Sequence, residues 1–545
     1  MNTKRTYTLL IILLMTAEII LLNGNIYSDE VTQEWVRTYT RHATYNMQGP
    51  FFACDKNGNS YMLGNDIISD TAYYLVIVKY NSAGVQQWLT LYNYPEEPYY
   101  EPLGIALDTS GNAYIISNYG QSTFTSMNIL TVKFNGTNGN VIWSKKYIGQ
   151  YGSSTPKDIK IDKQNNIFIT GYADSSLICI KYNSITGDSI WVRKYKQPGT
   201  FTSGNSCTID DSSNVIITGY KAFCIPYPPP GGCFDTLLTV KYNRDGLLRW
   251  AKTYFNPNRT DLSLGLKVVN DQYGSSYILG RTLNNMGYNI FLTLKYDRNG
   301  LLQWASTYDS PGASNNDEIQ SFAVDKKNGF VFVTGYSIVT GNIQSATIKY
   351  NSVTGDTVWV KRYSAPSSAL DVKSDSMGNC YITGAFSNDV LTLKYSPQGN
   401  INWLITYNGS QNLFDGGRIL ELDNYKNIYV CGITGYDYLV IKYSQIIGVK
   451  PLCNKIPAKF ELNQNYPNPF NPITKIKLSI PKKSYVQLKI YDVLGRIKEV
   501  LIDKELTASD YEVTFNASNY SSGVYFYQLI ADNKIIETKK LTVIK

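Results

Sequence analysis

Every tryptophan in this 545-residue chain stands four positions before a tyrosine. The pairs are Trp35/Tyr39, Trp88/Tyr92, Trp143/Tyr147, Trp191/Tyr195, Trp250/Tyr254, Trp304/Tyr308, Trp359/Tyr363 and Trp403/Tyr407. Seven of the eight follow a Lys-Tyr or Lys-Phe by about ten residues, as Lys79-Tyr80 precedes Trp88. Trp35 follows none, and the last such dipeptide, Lys442-Tyr443, has no tryptophan after it. A motif at fixed period makes each copy one small unit that buries its apolar faces only against its neighbours. A chain of this length therefore builds an array rather than one ordinary core.

The repeat is fullest in its second copy: Gly104-Ile-Ala-Leu-Asp108, Thr-Ser-Gly-Asn112, Ala-Tyr114-Ile-Ile, Ile129-Leu-Thr-Val-Lys133-Phe134, then Val141-Ile-Trp143. Its turn aspartate recurs at Asp55, Asp108, Asp162, Asp210, Asp271, Asp325, Asp375 and Asp423, about 53 residues apart on average. A glycine closes the following run in every copy but one, where Ser117 replaces it. The runs are short and bounded by Gly-bearing turns, without a helical period, so each copy reads as four antiparallel strands, here a to d. Eight such sets predict an all-β fold, an eight-bladed β-propeller of four-stranded blades. Strand a carries small residues (Ala53, Ala106, Ala323) and belongs at the narrow axis. Strand d carries Trp and Tyr, which face one side at i and i+4 and fill the wide outer gap. Between them lie Arg37, Lys145, Arg193, Lys252 and Lys361, whose stems are expected to cover the rings while their charges stay in water. The unmatched ends then complement each other: Trp35–Tyr39 supplies the missing d strand beside Lys442-Tyr443 and closes the ring.

Strand alternation puts the a–b and c–d turns on one face and the b–c and d–a connections on the other. The first set is short and uniform, whereas irregular insertions collect in the second, which makes that face the place for binding. The segment Tyr94–Pro102 is the candidate ligand loop: Tyr94, Glu96, Glu97, Tyr99, Tyr100 and Glu101 combine acids with aromatic rings suited to a sugar. A solvated, proline-stiffened loop explains the same residues. Cys224 and Cys233 bracket another insertion on this face and form the candidate disulfide. Cys54, Cys179, Cys207, Cys380 and Cys431 fall in strands as small buried groups.

Little catalytic chemistry is visible. The single histidine, His42, has no nucleophile motif around it and reads as a surface-loop residue. The D-x-x-G-N turns lack the concentrated oxygen ligands of calcium loops, so their aspartates are assigned to turn amides. No phosphate-binding or dinucleotide fingerprint occurs, and no cofactor or metal is expected. The net charge of +8 is scattered, which argues against a nucleic-acid partner, and a monomer is expected. Lys4 and Arg5 followed by an apolar run from Leu9 to Leu22 read as a signal peptide over residues 1–28; Glu18 argues against a membrane-retained anchor.

The units Asp108-Thr-Ser-Gly-Asn-Ala-Tyr114 and Asp375-Ser-Met-Gly-Asn-Cys-Tyr-Ile-Thr-Gly384 resemble the bacterial SBBP-type β-propeller repeat, a likeness spanning about residues 34–445 that implies fold and little chemistry. After residue 446 the pattern changes. The run Asn465-Tyr466-Pro467-Asn468-Pro469-Phe470-Asn471-Pro472, the segment around Gly523 and Tyr525, and the basic terminus at Lys545 resemble the C-terminal sorting domain of type IX (Por) secretion substrates. That resemblance implies a small Ig-like β-sandwich read by the type IX secretion machinery, and a secreted or cell-surface protein. An accessory carbohydrate-binding or fibronectin-like domain is the competing reading of the same strands. The expected organisation is signal peptide 1–28, propeller 29–446, linker 447–458 and sorting domain 459–545. The expected function is non-enzymatic: a binding scaffold for an extracellular glycan or protein. The alternatives are a carboxylate-based polysaccharide hydrolase or lyase on the loop face, and a purely structural surface component.

Overall fold

A computed structural model describes residues 30–42, 49–69, 72–93, 99–120, 127–151, 153–225, 232–256, 262–311, 316–339, 342–363, 366–410, 412–446, 449–453, 457–517 and 520–544. The expected signal peptide lies outside them. The chain divides into two units, one of Gln33–Tyr443 and one holding Ser444–Lys545 with the residues up to Thr32.

In the first unit the described residues form eight four-stranded antiparallel sheets. Seven are built from consecutive strands, as in Tyr99–Leu107, Ala113–Gly120, Asn128–Phe134 and Val141–Tyr147. The remaining sheet takes Asp415–Leu422, Ile428–Thr434 and Asp437–Ile446 from the end of the array and Glu30–Tyr39 from its start. The a strands neighbour one another in chain order, and Asp415–Leu422 lies beside Phe51–Cys54. This is a propeller closed by its N-terminal strand, as the unmatched ends of the repeat predict.

Each turn aspartate organises its own hairpin. Asp108 Oδ1 accepts from the amides of Ser110 and Asn112 at 2.9 Å, and Oδ2 accepts from Asn112 Nδ2 and from Tyr114 Oη at 3.0 Å. Neighbouring sheets are then stapled by one repeated device. The strand-d indole and the strand-c lysine donate to the same carbonyl in the next sheet's c–d turn. Trp88 and Lys79 share Gly136 O at 3.2 and 2.6 Å, and Trp304 and Lys295 share Ser352 O at 3.2 and 2.8 Å. Each such ammonium also lies over a strand-b aromatic of its own sheet, as Lys79 over Tyr61 at 5.2 Å, which explains why the lysine recurs. The expectation for the strand-d cations needs correction at the arginines. Arg37 and Arg193 stack over their tryptophans, and Nε donates to Gly84 O at 2.6 Å and Gly246 O at 2.7 Å. A planar guanidinium can cover a ring and still reach a carbonyl beyond its edge.

In the second unit two four-stranded sheets enclose a core of Ile476, Leu478, Val486, Leu488, Val513, Phe515, Tyr527 and Leu529. Val449–Cys453, inside the expected linker, forms an edge strand paired with Ser509–Asn516. Pro451 fits there because an edge position need not donate its amide. The β-sandwich thus begins before residue 459.

Candidate functional site

The a strands begin, and the b strands end, on the face that carries the irregular connections. The predicted ligand loop lies there, but half of it is strand. Tyr94, Glu96 and Glu97 are outside the described residues. Tyr99, Tyr100 and Glu101 open the strand Tyr99–Leu107 and pair with Gly120, Tyr119 and Asn118. Strand alternation turns Tyr100 inward, 1% exposed and edge-on to Tyr92 at 6.2 Å. It belongs to the core and is withdrawn as a ligand contact. Tyr99 is half-buried against Tyr73, and Glu101 accepts from Asn118 Nδ2 at 2.9 Å.

A larger constellation lies on the same face between the third and sixth sheets. Tyr172, Tyr220, Arg281 and Tyr336 each follow the glycine that closes strand b, at Gly171, Gly219, Gly280 and Gly335. Phe201, the first residue of the next a strand, bridges Tyr172 at 5.5 Å and Tyr220 at 5.9 Å. Arg281 lies 3.9 Å from Glu318, and its charge also acts on Asp235, which burial pushes above the ordinary carboxylate value and Arg281 draws back down. The buried Nε of Arg281 has no hydrogen-bond partner among the described residues. These residues are all half-buried. Flat rings on a face that also carries a guanidinium paired with a carboxylate can stack on a sugar or an apolar side chain and hydrogen-bond its polar groups. The residue after the strand-b glycine was the available signal, and it is unremarkable in any single copy.

The axis carries a second set. A β-bulge in each of seven a strands re-aims the next side chain. The side chains so placed in the third to seventh sheets are Asp158, Ser206, Lys267, Ser321 and Asp371, linked in part by hydrogen bonds. Ser206 Oγ donates to Asp158 at 2.9 Å, Lys267 to Ser321 at 3.2 Å, and Ser321 to Asp371 at 2.5 Å. Two residues further along, Lys160 pairs with Asp158 at 2.6 Å and Lys373 with Glu421 at 2.9 Å. Burial lowers the Lys267 ammonium below its ordinary range, with Lys373 and Lys160 adding to the effect and Asp371 and Asp158 opposing it. Lys160 keeps 44% side-chain exposure. Three ammoniums and three carboxylates balance in charge, which suits an ion-paired lining. The small residues Ala53, Ala106 and Ala323 hid this set by making the axis look apolar.

His42 is 58% exposed, yet its Nδ1 lies 2.7 Å from the fully buried Asp66 carboxylate, which also accepts from Tyr39 Oη at 3.0 Å and the His42 amide at 2.9 Å. The histidine therefore ties the closing strand to the first sheet. Among the described residues no three His, Cys, Asp or Glu side chains are grouped to hold a metal. The backbone sets Cys224 directly opposite Cys233 in the fourth sheet. Cys179, Cys207, Cys380 and Cys431 are buried free thiols, and Cys54 is a half-buried one.

In the second unit the proline-rich run is held between both sheets. Asn465 is buried; its amide donates to Tyr527 Oη at 2.8 Å and its side chain to Pro467 O and Thr474 Oγ1 at 3.0 Å. Phe470 is buried against Phe515, and Asn468 Oδ1 accepts from the Thr542 amide. Tyr466 is 81% exposed, with Pro467, Pro469 and Asn471 also outward and Pro472 half-buried. Gly523 opens the strand Gly523–Ala531, in which half-buried Tyr525 meets Tyr520 at 5.2 Å. Lys545 is outside the described residues.

Two family matches agree with this division. Residues 464–545 match the secretion system C-terminal sorting domain, and residues 142–178 match the beta-propeller repeat. The chain thus carries a type IX sorting tail behind SBBP-type repeats, and the tail marks it for export to the cell surface or beyond. No curated protein matches the chain. Among solved structures it is similar to PorZ, a surface component of the type IX secretion system of Porphyromonas gingivalis, at 12% identity and TM-score 0.36, covering 90% of this chain and 74% of that one. A PL25 ulvan lyase shows 9% identity and TM-score 0.42 over 68% and 95% of the two chains. Chaetomium thermophilum Sqt1 shows 8% identity and TM-score 0.48 over 75% and 99%. Likenesses this distant assign no activity.

Proposed function

We propose that the exported propeller is a binding scaffold that holds an extracellular glycan or protein on its loop face. The observation that carries this reading is the buried Nε–H of Arg281, which has no partner among the described residues, on the face where Phe201 bridges the Tyr172 and Tyr220 rings. A buried donor without a partner costs about 1–3 kcal/mol, a cost that a ligand acceptor would relieve. The sorting tail engages the type IX machinery, and the propeller is what that machinery delivers.

A carboxylate-based hydrolase or lyase is the second reading, favoured by the upward-shifted Asp235 close to Arg281. Screening the purified chain on a glycan array, then repeating with Tyr172→Ala/Tyr220→Ala and with Asp235→Asn, separates the two. Binding lost in the tyrosine variant with no product from any bound glycan supports the scaffold. Turnover abolished by Asp235→Asn supports the enzyme and overturns the scaffold.

A further inference from the structure

The repeat is broken at one point on the opposite face. In seven sheets a strand-b aromatic packs 5.8–6.2 Å from its own sheet's tryptophan: Tyr61, Tyr114, Phe168, Tyr277, Phe332, Tyr381 and Tyr429. In the fourth sheet that position is Ile216. Three consequences follow locally. Lys241 has no ring to cover and turns to Asp210 at 3.0 Å, taking the place that Tyr114 Oη holds on Asp108. Among the described residues Arg298 O keeps only the Trp250 indole, at 3.3 Å. Trp250, half-buried, also lines a trough of 460 Å³.

The charges lining this trough are unevenly committed. Asp210 is held by Lys241 and Asn214, Asp211 by Lys163 at 2.7 Å, and Asp271 by turn amides and Tyr277 Oη. Arg249 and Arg298 have no ion-pair partner among the described residues, and both are exposed. An adjoining trough of 360 Å³ shares Arg249 and continues to Arg244, which is paired with Asp245 at 3.8 Å, so the surface is elongated and Arg249 and Arg298 are its uncommitted charges. Its free chemistry is therefore cationic, with the Trp250 and Tyr273 rings and the amides of Gln272 and Asn299 alongside.

We propose that this trough on the short-turn face binds an anionic polysaccharide, one whose sugars carry uronate or sulfate groups. The arginines take the anionic groups as charge-assisted, bidentate contacts, the Trp250 ring stacks on a sugar face, and the amides meet hydroxyls. A glycan fits better than an acidic peptide or a nucleic acid because the chain is exported and the cations alternate with rings and neutral amides. The site is separate from the loop-face arc and does not depend on it.

The test titrates the full chain with dextran sulfate, polygalacturonate and uncharged dextran by calorimetry. A charged polymer should bind at least about tenfold tighter than dextran, and Arg249→Ala/Arg298→Ala should lose about tenfold or more. Binding of polygalacturonate alone identifies uronate as the recognised group, and binding of dextran sulfate alone identifies sulfate. Ile216→Tyr restores the ring found in the other sheets and should fill the trough and abolish binding in a folded protein, whereas Tyr172→Ala/Tyr220→Ala should retain it. Unchanged binding in the double arginine variant overturns the site. So does equal binding of polyglutamate or duplex DNA that survives Ile216→Tyr, which would mark a general polycation.

Discussion

Trp35 is the sharpest place to test how this ring holds. Its side chain is 8% exposed and packs between Tyr80 at 6.3 Å and Tyr429 at 6.0 Å, with Nε1 donating to Ser82 O at 3.1 Å. Gly84, at φ 77°, lies so close that a Cβ there would meet the indole at 2.7 Å. Trp191 is its internal counterpart: 7% exposed, between Phe168 at 5.8 Å and Tyr242 at 6.4 Å, and bonded to Arg244 O at 3.1 Å. Truncating either to alanine removes the same group from the same surroundings, at a cost of about 3–5 kcal/mol.

The difference lies in how the two strands are held. Ser189–Tyr195 is joined to its sheet neighbour by the tight turn Asn183–Asp188. No turn joins Glu30–Tyr39 to Asp437–Ile446, so once its grip weakens the strand can leave and recover backbone entropy, about 1–2 kcal/mol per residue released. Trp191→Ala should therefore lower the urea midpoint with an unchanged slope. Trp35→Ala should lower it at least as far, reduce the slope, and expose amides of residues 35–39 and 437–443 to hydrogen exchange below the global transition. If the two variants unfold identically and the 437–443 amides keep wild-type protection, the N-terminal strand is not what closes the ring.

Three further outcomes are expected. The Asp66 carboxylate is pushed up by burial, but its bonds to His42, Ile67 and Tyr39 leave it below its ordinary value of 3.8, so its stabilisation is present above that pH and is lost as pH falls through the lower folded value. Asp66→Asn should cost about 1–3 kcal/mol at neutral pH, with the gap closing as pH falls below about 4, and urea midpoints showing a pH-independent gap would refute it. In the sorting domain, Asn465→Ala should unfold the β-sandwich by circular dichroism, whereas Tyr466→Ala should leave it folded and reduce export measured by cell fractionation; wild-type export of Tyr466→Ala would remove the exposed tyrosine from recognition. Cys224 and Cys233 should form a disulfide that links their two strands, since directly opposed strand positions lie within bridging distance, and thiol labelling of both in the unreduced, denatured protein would exclude it.

What could be read in advance follows from which forces repeat. The inter-sheet staples draw on Trp, Lys and a carbonyl of the next sheet in most copies, so periodicity alone exposed the sheets and their closure. The axial set Asp158, Lys267 and Asp371 depends on bulges, which shift the register by one residue and leave no mark in composition. The burial of Tyr100 is hidden in the sequence for a related reason. Acids and prolines around it read as loop, while Ala113–Gly120 draws it into a ladder that faces it inward. The loop-face arc is legible only after alignment of the copies, because Tyr172, Tyr220, Arg281 and Tyr336 share a position rather than a motif. Ile216 shows the same logic in reverse. An isoleucine in a strand carries no information by itself, but where the other seven copies place an aromatic ring it goes with a redirected lysine and a trough beside the tryptophan. In a repeat protein, function is therefore best sought where one copy departs from the interaction that all the others need.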